Sequence, residues 1–318
     1  MVVSKIDLPE HFLDGETRNG YYISPEMKKV WAVQLKLLNK LLEVCKKHGI
    51  KVWAEAGTLL GTIRHKGYIP WDDDIDMVLL RPDYDKLVQL AAAEFTHPFF
   101  FQCGYTEKYY PRGHAQLRMD GTSAIGASPA FMNTHQGVFI DIFPYDAVPD
   151  NVQEREIHIK KRNRLYDKML HAGRFDILHP IRSLKLVKYR NHFDKLFQEF
   201  EDNLRKYSVG ESEGISCLAF NDDLEKFLRK KQWYEETLYM PFENMLMPVP
   251  VGYHEILTKQ YGDYMTPVKA PSLHVGFWKL DAETDYKSYM PEYRKLCRKW
   301  IRQSYFHRIK DLFKRLKH

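Results

Sequence analysis

Four aspartates fall within five positions of the segment GYIPWDDDIDMVLL, which spans residues 67–80 and then becomes apolar. Alternate side chains of a strand share one face, so Asp74 and Asp76 are expected on the same side, about 6–7 Å apart along the backbone. Two carboxylates held in this way share a proton or bind a cation, and such hard oxygen ligands suit Mg²⁺ or Mn²⁺. The spacing therefore predicts a divalent-metal site at Asp74 and Asp76, with Asp72 as a candidate outer ligand.

A third acid, Asp141, stands in the segment GVFIDIFP, whose β-branched and aromatic residues predict a buried strand. A lone carboxylate in such a strand is costly without a partner, and a metal shared with Asp74 and Asp76 would supply one. We therefore expect Asp141 beside these two residues. It is either a third metal ligand or the base that takes the proton from an acceptor hydroxyl.

Other interpretations compete with a catalytic metal at the acidic segment. Asp favours turns, so an acidic turn before a strand needs no metal. An EF-hand is excluded, because its loop would place Met77 at the turn glycine and Asp83 at the final glutamate. A nucleotide-sugar glycosyltransferase with a D-x-D metal site stays open. It gives no reason, however, for the segment AGTLLG at residues 56–61, where a strand-to-helix turn of small residues would let the backbone approach phosphates.

The composition indicates a globular protein rather than a disordered, secreted or membrane-spanning one. Of the 318 residues, 44% are apolar and 14% aromatic, enough for a substantial core. No run of about 18 apolar residues is present and the N-terminus lacks the apolar stretch of a secretory signal, so we expect a cytoplasmic protein. The 4 cysteines form no C-x-x-C pair, which argues against a structural zinc site and requires no disulfide.

Hydrophobic periodicity divides the chain into five parts. Ser24 and Pro25 begin a helix that Gly49 ends, after which strands and helices alternate as in an α/β core. The following sequence is helical and strongly charged. The predicted parts are an N-terminal segment and helix at 1–49, an α/β core at 50–150, a helical lobe at 151–232, a return segment that completes the site at 233–290, and a basic C-terminal helix at 291–318.

The C-terminal part holds most of the positive charge. Residues 291–318 contain ten Lys or Arg and two acidic residues, so the net charge of this part is +8. The net charge of the whole chain is +6, which leaves −2 for the other residues. As one helix it would place apolar residues such as Trp300 and Ile309 on a broad side with basic residues around them. Such a helix suits an anionic bilayer, each nearby basic residue contributing about 1 kcal/mol. We expect peripheral contact with the inner membrane face and no nucleic-acid partner; docking of the helix on the protein body is the alternative.

Three blocks, GTLLGTIRHKGYIPWDDDID, FIDIFPYDAVP and YGDYM, together closely resemble the LicD family of cholinephosphotransferase-like proteins, which is related to fukutin and the fukutin-related protein. The resemblance covers residues 12–274 and implies an α/β nucleotidyltransferase-type fold with a small mixed sheet. Members are similar in moving a phosphorylated alcohol, such as phosphocholine or ribitol phosphate, from a CDP-linked donor to a sugar. The acceptors implied are lipopolysaccharide, capsule, teichoic acid or a lipid-linked precursor. A non-catalytic scaffold that retains the fold is the hypothesis from a different class.

The same resemblance implies roles for individual residues. Gly57 and Thr58 would touch the donor phosphates, and Asp74, Asp76 and Asp141 would bind the divalent metal, Mg²⁺ or Mn²⁺. The zinc-binding cysteines of the fukutin-related protein have no identifiable counterpart here, so zinc is not implied.

Three residues are further candidates for contacts with the donor or the acceptor. Arg64 lies between the small-residue turn and the aspartates and is predicted to contact phosphate, with a solvated helix end as the alternative. Arg118 shares one strand face with His114 and Gln116, which predicts either a polar site wall or a polar surface strand. His274, in APSLH, resembles a late histidine of the family, and a site role and loop packing both stay open.

Overall fold

The computed structural model describes residues 8–126, 134–173, 187–220, 223–268 and 277–315. Its strands are β1 (Glu16–Arg18), β2 (Tyr21–Ile23), β3 (Trp53–Ala54), β4 (Asp76–Leu80), β5 (Phe99–Gln102), β6 (Ala115–Met119), β7 (Ser123–Gly126), β8 (Phe139–Val148), β9 (Gly214–Ser216), β10 (Arg229–Lys230), β11 (Thr237–Phe242), β12 (Met245–Pro250) and β13 (Phe277–Asp281). Its α-helices are α1 (Pro25–His48), α2 (Ala56–His65), α3 (Arg81–Glu94), α4 (Val152–Gly173), α5 (Phe193–Leu204), α6 (Leu224–Phe227), α7 (Tyr253–Tyr261) and α8 (Tyr286–Arg315), with 3₁₀ turns at Val187–His192 and Lys231–Tyr234.

A 7-stranded mixed sheet forms the centre of the protein. The strand order is β10-β9-β8-β4-β3, with β6 also paired to β8 and β5 paired to β6. Strands β4 and β8 are parallel, and the other pairs of this sheet are antiparallel. The mixed sheet with helices confirms the predicted α/β class. The two central strands are also the ones that carry the predicted acids.

Helix α1 forms where the sequence predicted it, for the expected reasons. The Ser24 side chain accepts a hydrogen bond from the Met27 amide, Pro25 occupies the first turn, and Gly49 ends the helix with a φ of 63°. Its apolar residues at helical spacing, including Trp31 and Leu38, are buried in the main core. The helix therefore packs one face on the sheet.

The segment after α1 differs from the prediction at two points. Residues 56–58, predicted as a turn, already form the first turn of α2, with Glu55 as the N-cap residue. Strand β4 begins at Asp76 rather than at Asp74, because Asp76 is the first residue of the segment that pairs with β8. Asp74 therefore lies in the loop before the ladder.

The predicted helical lobe contains more than helices. Helices α4 and α5 lie within it, but β9 and β10 add two antiparallel strands to the central sheet beyond β8. The central sheet therefore extends across the predicted boundary at residue 150. These strands have 3 and 2 residues, too few for a clear alternating pattern in the sequence.

A buried ion-pair network joins α3, β8 and α5. The Arg81 guanidinium donates to both Asp146 carboxylate oxygens, at 2.5 and 3.0 Å, and lies 3.3 Å from Glu201. Arg205 then bridges Glu201 and Asp85 at 2.9 and 2.7 Å. Because each charge has a partner, the helical part is fixed on the end of β8 without an isolated buried charge.

The C-terminal helix α8 begins five residues before the predicted start and contains Pro291. Its first turns are anchored: Met290, Tyr293 and Cys297 form a buried cluster with Ile125, and the Tyr293 hydroxyl donates to the Gly126 carbonyl. In the part of the chain that the structure describes, no helix is long and apolar enough to cross a membrane. The 4 cysteines are buried and unpaired.

Candidate active site

Asp74, Asp76 and Asp141 converge at one end of the central strands. One carboxylate oxygen of each lies within 4.8 Å of the others. The parallel register places Asp76 opposite Asp141, and the Asp141 amide donates to the Ile75 carbonyl at 2.9 Å. Asp74 and Asp141 are buried, whereas Asp76 is half-buried. The structure thus brings together the three acids that the sequence predicted to meet.

Helix α1 fixes the backbone of residues 72–74, which we call the aspartate loop. The Trp31 indole donates to the Asp72 carbonyl at 3.2 Å, and the Gln34 amide donates to the Asp73 carbonyl at 2.7 Å. The carboxylates of Asp72, Asp73 and Asp74 form a second group in which one oxygen of each lies within 4.8 Å of the others. Asp72 is therefore within reach of a cation bound near Asp74.

The start of α2 packs directly against the acids. The Asp76 amide donates to the Thr58 hydroxyl at 2.8 Å, and the Glu55 amide donates to the Asp76 carbonyl at 3.0 Å. A Cβ atom at Gly57 would lie 2.5 Å from an Asp72 carboxylate oxygen, so a larger residue here would displace the Asp72 side chain. The Thr58 side chain is buried and holds the strand that bears Asp76, while Gly57 presents bare backbone beside Asp72.

Strand β6 supports Asp141 from the other side. Gln116 donates to Asp141 Oδ1 at 2.7 Å, and His114 Nε2 lies 3.2 Å from the same oxygen. Arg118 in turn holds Gln116, because its Nη2 donates to Gln116 Oε1 at 2.5 Å. Its other guanidinium nitrogens donate to the Gln102 side chain and to a backbone carbonyl. These contacts favour a positioning role for Arg118 over direct phosphate contact.

The carboxylates of the cluster differ in how readily they ionise. Burial, and then the charges of Asp74 and Asp141, raise the pKa of Asp76 well above its ordinary value. Burial also opposes ionisation of Asp141, but a hydrogen bond and charge from His114 outweigh it and hold the pKa of Asp141 below its usual range. A divalent cation would relieve the repulsion at Asp76. The clustered carboxylate oxygens therefore fit Mg²⁺ or Mn²⁺ by their chemistry.

The other predicted site residues lie at different distances from the cluster. Arg64 Nη1 donates to the Tyr264 carbonyl at 2.8 Å, which ties the end of α2 to the YGDYM segment. Tyr261, at the end of α7, is close enough to the acids for their charges to act on it: burial, and then Glu55 and Asp76, raise its pKa. His274 lies outside the described residues.

A buried polar network beneath α2 was not apparent from the sequence. Glu55 accepts hydrogen bonds from the Tyr234 hydroxyl at 3.2 Å and from Arg229 at 3.4 Å. Arg229 also donates to Gln260 at 2.7 Å, and Gln260 donates to the Tyr261 hydroxyl at 3.1 Å. These residues come from three distant parts of the chain, so no spacing rule connects them. The one local signal is a charged Glu55 between two apolar alanines.

The segments that form this site are also the ones that match known proteins. A family model described as LicD/FKTN/FKRP, nucleotidyltransferase domain, matches residues 49–191, which include the three clustered acids and the start of α2. The lipopolysaccharide cholinephosphotransferase LicD of Haemophilus influenzae is 31% identical over 246 residues, which cover 73% of this chain and 89% of that relative. This chain belongs to the LicD family.

A shorter match connects this LicD-family chain to a second group of enzymes. The ribitol 5-phosphate transferase FKRP of Mus musculus, like that of Homo sapiens, is 44% identical over 46 residues, or 14% of this chain and 9% of the relative. The predicted membership in the LicD family and the predicted relation to the fukutin-related protein are both confirmed. The catalytic roles of individual residues stay predictions.

Proposed function

We propose that this LicD-family chain transfers a phosphorylated alcohol from a CDP-linked donor to a hydroxyl of a cell-surface glycan or its lipid-linked precursor. The observation that carries the proposal is the convergence of Asp74, Asp76 and Asp141 beside the start of α2, inside the segment that matches the family model. The long match to a lipopolysaccharide cholinephosphotransferase makes phosphocholine the first group to test. The short match to ribitol 5-phosphate transferases makes ribitol phosphate the second.

The acids have the chemistry to hold Mg²⁺, or Mn²⁺ in its place. Asp74, Asp76 and Asp141 would be the ligands, with Asp72 as a further one. A bound cation would neutralise the pyrophosphate oxygens of the donor. Hydrogen bonds to Asp141 favour its ionised form, so we assign it to metal binding rather than to proton abstraction.

The donor phosphates would be held at the start of α2. The backbone at Gly57 would approach them there, because the first amides of a helix lack intrahelical partners and favour anions. Thr58 and Arg118 would act through the strands that they position. Arg64 and His274 are kept as candidate contacts to the donor.

The proposed reaction is an in-line displacement at the phosphorus that bears the alcohol. The acceptor oxygen forms a bond to this phosphorus, and the bond from it to the bridging oxygen breaks. CMP leaves with the electron pair, and the acceptor hydroxyl proton passes to solvent. The acceptor must therefore approach from the side opposite the CMP group.

The distal part of α8 is the proposed membrane contact. The buried anchor includes Met290, Tyr293 and Cys297, and the helix continues to Arg315. Residues 298–315 contain seven Lys or Arg and the single acid Asp311. An anionic bilayer on the inner membrane face complements this charge and would keep the enzyme near a lipid-linked acceptor.

Transfer is tested by incubating the full chain and MgCl₂ with CDP-choline, CDP-ethanolamine, CDP-glycerol or CDP-ribitol and candidate glycans, while CMP is measured. We expect CMP release that requires Mg²⁺ and is lost in Asp76→Asn. Asp150→Asn is the matched control, because Asp150 is exposed and lies outside the cluster. Release of UDP or GDP from sugar nucleotides would support a glycosyltransferase instead. No nucleotide release from any donor would support a scaffold.

A further inference from the structure

Three aromatic rings lie beside Asp141 on the same face of the central sheet. Phe143 is two residues beyond Asp141 on β8, so the two side chains share a face. The centroid of the His114 ring is 4.5 Å from that of Phe143 and 5.6 Å from that of Phe220. The centroids of Phe143 and Phe220 are 5.7 Å apart. We call His114, Phe143 and Phe220 the aromatic platform.

The aromatic platform is open to solvent. Phe220 is 51% exposed and Phe143 is half-buried, whereas His114 is 2% exposed. A large exposed aromatic ring beside a buried polar site is suited to contact a ligand, because it offers apolar area at little cost in conformational entropy. The neighbouring Arg112 is also exposed, and its Nη1 lies 3.4 Å from His114 Nε2.

The platform and the start of α2 lie on opposite sides of the acids. Strand β4 pairs with β3, which leads into α2, on one edge, and with β8 on the other. On the first side Thr58 contacts the Asp76 backbone, and on the second His114 contacts Asp141. If the CMP side of the donor occupies the start of α2, in-line attack brings the acceptor from the platform side.

His114 offers a polar atom without a partner at the platform. Its Nε2 lies 3.2 Å from Asp141 Oδ1 and 3.4 Å from Arg112 Nη1, so this nitrogen is already engaged within the protein. Nδ1 is buried and has no hydrogen-bond partner among the described residues. A ligand hydroxyl both donates and accepts, so it can pair with Nδ1 whichever ring nitrogen carries the proton. A quaternary ammonium group can neither donate nor accept a hydrogen bond, and the charge of Arg112 disfavours it here.

We propose that the aromatic platform is the acceptor subsite, where the apolar face of a pyranose ring packs on Phe220 and one sugar hydroxyl forms a hydrogen bond with His114 Nδ1. The proposal rests on the transfer reaction proposed above and identifies where its acceptor binds. A pyranose fits both features, because its C–H face is apolar while its hydroxyls project around the edge. A cationic alcohol group such as choline lacks the ring of hydroxyls, and the donor base is expected on the α2 side of the acids.

The test is the Phe220→Ala variant in steady-state kinetics, with CDP-choline as donor and methyl hexopyranosides as acceptors. We expect KM for the saccharide to rise about tenfold through the lost ring contact. KM for CDP-choline should stay within about twofold. Phe220→Trp should retain most of the saccharide affinity. Tyr239→Ala, which removes another exposed aromatic ring on β11, should leave both constants at the wild-type values.

Two results would overturn the assignment: a higher KM for CDP-choline with an unchanged saccharide KM, or unchanged constants for both. Failure of the transfer reaction itself would be seen differently, as absence of CMP release by the wild type. In that case, saturation-transfer difference NMR with the same saccharides tests binding at the subsite without requiring turnover. Signals lost in Phe220→Ala and kept in Tyr239→Ala support the subsite, and equal signals in both overturn it.

Discussion

Asp76→Asn should make the protein more stable than the wild type without divalent metal and less stable than the wild type with it. In EDTA the substitution removes one negative charge from a cluster of carboxylates, so the free energy of unfolding should rise. In saturating MgCl₂ the wild type should gain stability that the variant does not. We therefore expect the order of stability of the two proteins to reverse.

The size of the effect follows from the separation of the charges. Unit charges 4.8 Å apart, the outer limit in this cluster, repel by about 3–4 kcal/mol at an effective dielectric constant of about 20. Asp76 is half-buried, so water and partial protonation relieve some of this, and we expect a net gain of about 1–2 kcal/mol. Bound metal at one hundred times its Kd would add about 2.7 kcal/mol to the wild type.

The pH dependence has a defined sign. Burial and neighbouring acids raise the pKa of Asp76, so the folded wild type holds a proton after the unfolded chain has lost it. The metal-free wild type therefore loses stability as pH rises through the raised pKa, and the advantage of Asp76→Asn grows in the same direction. Below about pH 3 both states are protonated and the advantage should disappear.

Urea unfolding followed by circular dichroism, in EDTA and in MgCl₂, measures both effects. Asp150→Asn is the matched control, because it removes an exposed carboxylate outside the cluster and should respond to Mg²⁺ like the wild type. If Asp76→Asn were less stable than the wild type in EDTA, or gained as much from Mg²⁺, these acids would not form the metal site.

Three further predictions address the surroundings of the acids and the C-terminal helix. Gln116→Leu removes the donor to Asp141 and should weaken Mg²⁺ binding about tenfold or more by calorimetry; wild-type affinity would exclude the positioning role. Trp31→Phe loses the hydrogen bond to the Asp72 carbonyl and leaves a cavity in the core, so it should lower the free energy of unfolding in urea by more than the roughly 1 kcal/mol of the hydrogen bond alone; an unchanged value would show that α1 does not hold the loop. Truncation after Gln303 keeps the buried anchor of α8 and should abolish flotation with phosphatidylglycerol vesicles; full flotation would rule out the membrane contact.

The predictable part of the site came from local chemistry. Alternation along a strand predicted that Asp74 and Asp76 would meet, and they do, although Asp74 lies in the loop before the strand. The cost of a carboxylate in an apolar strand indicated a partner for Asp141. The Ser24 cap and the Gly49 stop predicted α1 for equally local reasons. The inferences about α1 and the Asp74–Asp76 pair succeed because these interactions lie within a few residues of one another in the chain.

Residues that act through others were harder to assign. Arg118 shares a polar strand face, which predicted a site wall, yet its donors are used by Gln116, Gln102 and a backbone carbonyl. Trp31 and Gln34 look like ordinary residues of a core helix in the sequence, but they hold the backbone of the aspartate loop. Which partner such a side chain meets depends on how the helix packs.

The sequence alone determined the kind of chemistry available to this protein: clustered carboxylates, a small-residue helix start and a basic C-terminal segment. Only the tertiary structure decided that the parallel register of β4 and β8 sets Asp76 opposite Asp141, that Glu55 and Arg229 meet beneath α2, and that Phe220 lies beside His114. The physical reason is distance along the chain. These contacts join residues that are 65, 174 and 106 positions apart in the printed sequence, and only the packing of the whole sheet brings them together.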